Sequence, residues 1–197
     1  MSLTPSMMPP LGTAAPDFLL PDTEGRSVSA RDFAAAPALL TVFMSLHCPY
    51  TLHILPQLLE ISREFRTKHV AVIAINSNDP ALNPEDDPAQ MARAAKVMEF
   101  PFPFLVDTTQ DVAKSFQAAC TPDFFLYDKS RNLVYRGRFD DSRPDNDTPV
   151  TGDQLRAAME AVLAGRPVSK NQKPSVGCNI KWKPGNEPAY FLAKQSA

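Results

Sequence analysis

Glycine is scarce in this 197-residue chain, with seven residues against twenty prolines; cysteine numbers three and tryptophan one. Three thiols cannot form the framework of a disulfide-stapled scaffold at this length, and the odd count points to a reducing compartment or to redox chemistry. No uninterrupted apolar run approaches the ~20 residues needed to span a bilayer. Met1 to Leu11 has neither a basic start nor a continuous apolar segment, so it does not read as a secretory signal. The expected compartment is therefore cytoplasmic. A basic excess is missing too: the net charge is −2 with 21% charged residues, which argues against nucleic acid or an anionic membrane as a partner.

What is present suits one soluble domain with a sizeable core and decorated ends: 44% of residues are hydrophobic. The prolines gather in the first 22 residues, in 80–103 and after 166, marking rigid connections around a compact middle. The expected division is a tail over 1–14, a folded domain over 15–165 and an extension over 166–197.

Within that middle, Asp17 to Leu20 and Ser27 to Ser29 flank Asp22-Thr23-Glu24-Gly25 and predict a small hairpin, followed by a short helix from about Ala30. Pro37 to Met44 and Val70 to Ile75 are nearly continuous apolar runs, as in strands covered on both faces. Between them, Pro49 to about Thr67 carries a helical apolar stripe. A Pro-rich acidic loop leads to a helix over Pro88 to Glu99, a short strand over Phe102 to Val106, and a short helix over Gln110 to Ala118. Phe124 to Asp128 and Leu133 to Phe139 read as a hairpin, and Gly152 to Leu163 as a closing amphipathic helix. Residues 168–197 carry little periodicity and are expected to wrap the surface or hang free. One parallel crossover unit followed by an antiparallel end is an α/β arrangement of the thioredoxin-like kind: a central mixed sheet flanked by helices, with an N-terminal hairpin and an irregular C-terminal tail.

The chemistry concentrates at Cys48, which follows the first core strand and opens the helix. Unsatisfied backbone N–H groups and the positive end of the helix dipole favour thiolate there. His47, the preceding residue, is either a hydrogen-bond or proton partner of that sulfur or an uninvolved surface histidine. His53 falls off the helical face of Cys48.

Cys48-Pro49-Tyr50-Thr51 resembles the active-site turn of thioredoxins and glutaredoxins with threonine in place of the second cysteine. Pro56 stands where that family carries a helix-kinking proline, and Cys120-Thr121-Pro122-Asp123-Phe124-Phe125 resembles the segment with the family's cis-proline. Residues 15–165 resemble the redoxin branch of the superfamily, which includes alkyl hydroperoxide reductase/thiol-specific antioxidant-like and membrane-tethered thiol–disulfide oxidoreductase groups. Leu46-His47-Cys48-Pro49-Tyr50, Thr121-Pro122-Asp123-Phe124-Phe125 and Ser175-Val176-Gly177-Cys178-Asn179-Ile180-Lys181-Trp182-Lys183 are together similar to an uncharacterised bacterial thioredoxin-like group.

The resemblance implies a thiol-dependent oxidoreductase or antioxidant in which Cys48 attacks a disulfide or peroxide, with Pro49, Tyr50, Thr51, Thr121 and Pro122 holding the substrate edge-on. Implied partners are a protein disulfide, a low-molecular-weight thiol or a peroxide, together with an external thiol reductant; no cofactor or metal is implied. With Thr51 in the turn, another thiol must resolve the mixed disulfide. Cys120, two residues before Pro122, is the nearer candidate, although alternation with Thr121 equally allows it a structural place in the core. Cys178 is the weaker candidate, in a tail that would fold back over the site.

Peroxidase chemistry finds Ser45 three residues before Cys48, where peroxiredoxins carry Thr or Ser. Thr41 stands where they carry proline, and the activating arginine is missing near Thr121-Pro122, leaving only Arg136 and Arg138 further on. Two other classes stay open. A copper metallochaperone of this fold carries a second cysteine where this chain has Leu52, leaving Cys48, His47 and His53 as a thin donor set; a non-catalytic interaction module would need none of these thiols reactive. Asp79, Glu85, Asp86 and Asp87 read either as a cation-holding loop or as solvated residues, with Asp87 capping the helix at Pro88.

Overall fold

The computed structural model describes residues 3–195. In chain order its strands and helices are β1 (Leu3–Pro5), β2 (Leu19–Pro21), β3 (Ser27–Ser29), β4 (Leu39–Phe43), α1 (Pro49–Thr67), β5 (Ala71–Asn76), α2 (Pro88–Val97), β6 (Phe104–Val106), α3 (Asp111–Phe116), β7 (Cys120–Thr121), β8 (Asp123–Tyr127), β9 (Leu133–Gly137), α4 (Asp153–Leu163), β10 (Val176–Asn179) and α5 (Ala189–Gln195). The predicted helix near Ala30 is a single 3-10 turn, Ala30–Phe33.

A five-stranded sheet in the order β6-β5-β4-β8-β9 forms the centre. β4 pairs parallel with β5 and antiparallel with β8, and β5 pairs parallel with β6. The apolar run that predicts a doubly covered strand is β4 itself, buried at all five residues. Its alternate side chains feed two cores. Leu40 and Val42 pack with Ile54, Leu55, Leu58 and Phe65 of α1 and with Leu155 and Met159 of α4. Leu39 and Phe43 pack with Phe116 of α3, with Phe125, and with Ile180, Trp182 and Phe191 from the end of the chain. This is the thioredoxin-like arrangement expected from the element order, and β2 and β3 form the expected N-terminal hairpin.

The ends of the chain depart from expectation. The extension is not irregular throughout: it contains β10 and α5, and β10 lies between β1 and β7 in a second, three-stranded sheet. β1 likewise turns part of the expected loose tail into a strand. Four residues of β10 and three of β1 are too short to carry a period-2 signal, so the pairing is decided by tertiary contact. The returning segment is pinned along its length. Ser175 Oγ donates to Gly137 O at 2.7 Å, and Ser6 N–H to Ser175 O at 2.8 Å. Lys181 N–H donates to Asn78 Oδ1 at 2.8 Å, while Lys181 O accepts from Asp79 N–H at 2.8 Å and from Gln110 Nε2 at 2.9 Å. Ile180 and Phe191, both buried, each contribute roughly 1.5–3 kcal/mol of apolar burial. Among the described residues no helix is long and apolar enough to cross a membrane.

At the carboxyl end of β4 and β5, a buried carboxylate organises the chain. Asp86 accepts from Ser45 Oγ at 2.8 Å, Asn76 Nδ2 at 2.6 Å and Asn78 Nδ2 at 2.8 Å. Ser45 Oγ in turn accepts from His47 N–H at 3.1 Å, which fixes the turn leading into α1. The acidic loop is thus a structural brace at Asp86 and a helix cap at Asp87, whose side chain accepts from Ala89 N–H at 2.9 Å. Replacing Asp86 by alanine leaves the Ser45 and Asn76 donors buried without their acceptor, so urea denaturation is expected to report a loss of about 2–4 kcal/mol. An unchanged midpoint would refute the brace.

Candidate active site

Cys48 is the residue preceding α1, in extended backbone, with Pro49 at the first helical position. Proline is favoured there because its missing N–H would have had no intrahelical acceptor. The sulfur sits 1% exposed where β4 hands over to the helix, and its thiol donates to the Thr121 carbonyl at 3.0 Å. Thr121 belongs to β7 and is joined to Pro122 by a cis peptide bond. Pro122 directly follows the carbonyl that Cys48 contacts, and Thr51 and Thr121 are both buried.

β10 brings the second sulfur. Its register pairs Cys178 with Thr121 and Asn179 with Cys120. The Cys178 side chain hydrogen-bonds to Cys48, and this contact is the largest influence on the acidity of either thiol. For Cys48 the Cys178 S–H stabilises the anion, outweighing burial, which opposes ionisation. The hydroxyl of Thr121 and the backbone N–H groups of Thr51 and Cys178 add to the lowering, and the thiol falls to about 5. No side-chain cap hydrogen bond closes at Cys48. Thr51 N–H therefore acts on the sulfur as a short-range dipole, and the Thr121 hydroxyl does so without a hydrogen-bond partner of its own. The Thr121 carbonyl works the other way, since it accepts only from the neutral thiol. Cys178 is pushed up, because its proton is the one held between the sulfurs and because burial disfavours its charge.

The remaining sequence candidates separate into those at the sulfur and those elsewhere. Cys120, fully buried, directs its thiol to Pro122 O at 3.7 Å. Alternation along β7 sends its side chain to the face opposite Thr121. The structure thus sets Cys178, not Cys120, against Cys48. His47 turns its ring towards Glu85, with Nδ1 to Oε2 at 3.5 Å, and touches the turn through its backbone. His53 Nε2 lies 3.2 Å from Ser142 Oγ. With Tyr50, Pro122, Ser175 and Val176, His53 lines a notch of about 20 Å³ beside the turn. Tyr50 is kept in its neutral form by burial and by the nearby Asp145 carboxylate. Arg136 is committed to Pro9 O at 2.8 Å and Gln172 Oε1 at 2.9 Å, and Arg138 to Asp141 at 2.8 Å. Neither guanidinium is spent on the sulfur. Among the described residues no group of three or more His, Cys, Asp or Glu side chains is placed to hold a metal ion.

Gly177 is the site residue that sequence reasoning passed over. A Cβ there would lie 2.0 Å from Thr121 O, so only glycine lets β10 approach β7 this closely. The available signal was one of only seven glycines standing directly before a cysteine.

Residues 11–136, well over half the chain, match the AhpC/TSA family. The thiol-disulfide oxidoreductase ResA of Geobacillus thermodenitrificans (strain NG80-2) is 28% identical over 61% of this chain and 64% of its own length; the chain thus spans just under two thirds of that relative. Among solved structures, an uncharacterised conserved protein from Geobacillus kaustophilus is 46% identical with a TM-score of 0.92, covering 94% of this chain and 98% of its own. A hypothetical protein from Sinorhizobium meliloti 1021 is 47% identical with a TM-score of 0.91, covering 92% and 100%.

The acidity of Cys48 has a direct readout. Alkylation of Cys48 by iodoacetamide is expected to rise with pH through a midpoint near 5 and to be level by neutrality, because thiolate is the reacting form. A hydrogen bond to a charged group contributes ~1.5–3 kcal/mol. Cys178→Ala is therefore expected to move that midpoint up by about one to two units. A midpoint near 8.5, the ordinary thiol value, in the unaltered protein would overturn the assignment.

Proposed function

Because the chain belongs to the AhpC/TSA family, we propose that it is a thiol–disulfide oxidoreductase working through a two-sulfur couple, with Cys48 as nucleophile and Cys178 as resolving thiol. What supports this reading is the meeting of the two cysteine side chains, with β10 pairing Cys178 opposite Thr121, whose carbonyl Cys48 contacts, at a distance only Gly177 allows. The similarity to a thiol-disulfide oxidoreductase agrees with it.

The cycle balances as follows. The Cys48 thiolate attacks one sulfur of a disulfide RSSR, forming Cys48–S–S–R and expelling RS⁻. The Cys178 proton neutralises that leaving group, and the resulting Cys178 thiolate attacks the Cys48 sulfur, releasing the second thiolate, which takes a proton from water. Two electrons have passed from the cysteine pair to RSSR. An external low-molecular-weight dithiol returns them by reducing the Cys48–Cys178 disulfide. Within this cycle Thr51 and Thr121 place hydrogen-bonding groups around the reacting sulfur, and Pro122 shapes the wall beside it.

Sulfur substrates are favoured over peroxides on one physical ground. Breaking an O–O bond asks for a guanidinium or comparable donor at the reacting atoms; Arg136 and Arg138 are held by Pro9, Gln172 and Asp141, and Arg143, beside the notch, donates to the Asp140 and Ser142 carbonyls.

Mild oxidation of the reduced protein with diamide, followed by non-reducing proteolysis and mass spectrometry, is expected to yield a Cys48–Cys178 linked peptide with Cys120 still a thiol. Cys178→Ala is expected to accumulate a stable mixed disulfide on Cys48 when given a small disulfide. A Cys48–Cys120 link, or Cys178 left unpaired, would overturn the assignment of the resolving thiol.

A further inference from the structure

We infer that β10 fills, from within the chain, the place a polypeptide substrate would need at Cys48, and that the enzyme therefore acts on low-molecular-weight disulfides in preference to disulfides in proteins; this rests on the Cys48–Cys178 couple proposed above. The Cys48 sulfur lies 3.0 Å from the Thr121 carbonyl, so an extended peptide bringing its own sulfur to that atom must run along Thr121. That edge is taken. Cys178 pairs with Thr121 and Asn179 with Cys120. The fit admits no side chain between the strands, because a Cβ at Gly177 would lie 2.0 Å from Thr121 O.

Nor is β10 an edge strand that could slip aside. Its other side pairs with β1, with Leu3 opposite Cys178, Thr4 opposite Gly177 and Pro5 opposite Val176. Exchange with an incoming strand (the usual way an exposed sheet edge takes an extended peptide) would break both ladders. It would also draw on the anchors at either end, Ser175 to Gly137 and Lys181 to Asn78, and on the burial of Ile180 and Trp182. On the β10 side of the turn the opening is narrow. The notch there, lined by Tyr50, His53, Pro122, Arg143, Ser175 and Val176 among others, measures about 20 Å³, room for one water-sized group. A slim thioalkyl arm can reach Cys48, a residue 1% exposed, through side-chain motion alone, whereas a folded protein cannot.

The test uses the full chain with dithiothreitol as electron donor and two probes, bis(2-hydroxyethyl) disulfide and insulin, each rate corrected for the uncatalysed reaction. The small disulfide is expected to be favoured by roughly 100-fold, about 2.7 kcal/mol. Gly177→Val, which forces β10 away from β7, is expected to raise insulin reduction and narrow that ratio by roughly tenfold. Trp182→Ala, which loosens the same segment from its far anchor without touching the strand, is expected to act in the same direction and covers the case in which the valine variant does not fold. Insulin reduced by the unaltered enzyme as readily as the small disulfide would overturn the inference. So would folded variants whose ratio is unchanged. A protein that forms the Cys48–Cys178 disulfide yet reduces insulin freely refutes this inference alone; one that forms no such disulfide refutes the preceding assignment.

Discussion

The proposed chemistry rests on one contact, the Cys178 thiol against the Cys48 sulfur. Cys48 alone would be a buried thiol at a helix start, pulled towards ionisation by backbone dipoles and away from it by the loss of water. The S–H of Cys178 shifts that balance, because it is a donor that survives in a dry environment and becomes stronger there. The same contact makes Cys178 a poor thiolate until Cys48 has been consumed. In the proposed cycle this contact sets the order of reaction: one sulfur starts charged, and the other acquires its charge only after surrendering its proton to the leaving group.

Geometry of that quality needs support from outside the pair. The turn before Cys48 is fixed through Ser45 and Asp86, and the strand bearing Cys178 is fixed through Asn78, which also donates to Asp86. A single buried carboxylate therefore braces both sulfur-bearing segments. Partners of reacting groups that are themselves held by packing and hydrogen bonds give the positional accuracy that catalysis by proximity requires. The apolar sheet below supplies the remainder, with β4 buried on both faces and unable to shift its register.

The central architecture was legible because its elements are long or strongly patterned. The helix expected over Pro49 to about Thr67 is α1, since a proline at the first turn marks its start and the apolar stripe its course, and the runs behind β4 and β5 are too apolar for any place but a covered sheet. The position of Cys48 was legible for the same reason, as a strand-to-helix junction is a local feature. Its partner was not. Cys120 is near Pro122 in sequence and so attracted the resolving role, but strand alternation turns it away. Cys178 reaches the site through a ladder between segments more than fifty residues apart, formed by Val-Gly-Cys-Asn, in which no local periodicity exists to be read. The acidic loop misled in a related manner: its charges suggested solvent or a cation, whereas Asp86 has donors enough in Ser45, Asn76 and Asn78 to be buried.

The placement of the two cysteines in the chain carries a consequence for biosynthesis. Cys48 leaves the ribosome early, and most of the chain follows before the strand that acidifies it emerges. Throughout that interval Cys48 lacks both the donor that most favours its anion and the burial that most opposes it, so it behaves as an ordinary, largely protonated thiol at neutral pH. On the role proposed for Cys48, full nucleophilicity would arrive only when the last strand docks, and a half-made molecule would be spared the side reactions of an exposed thiolate.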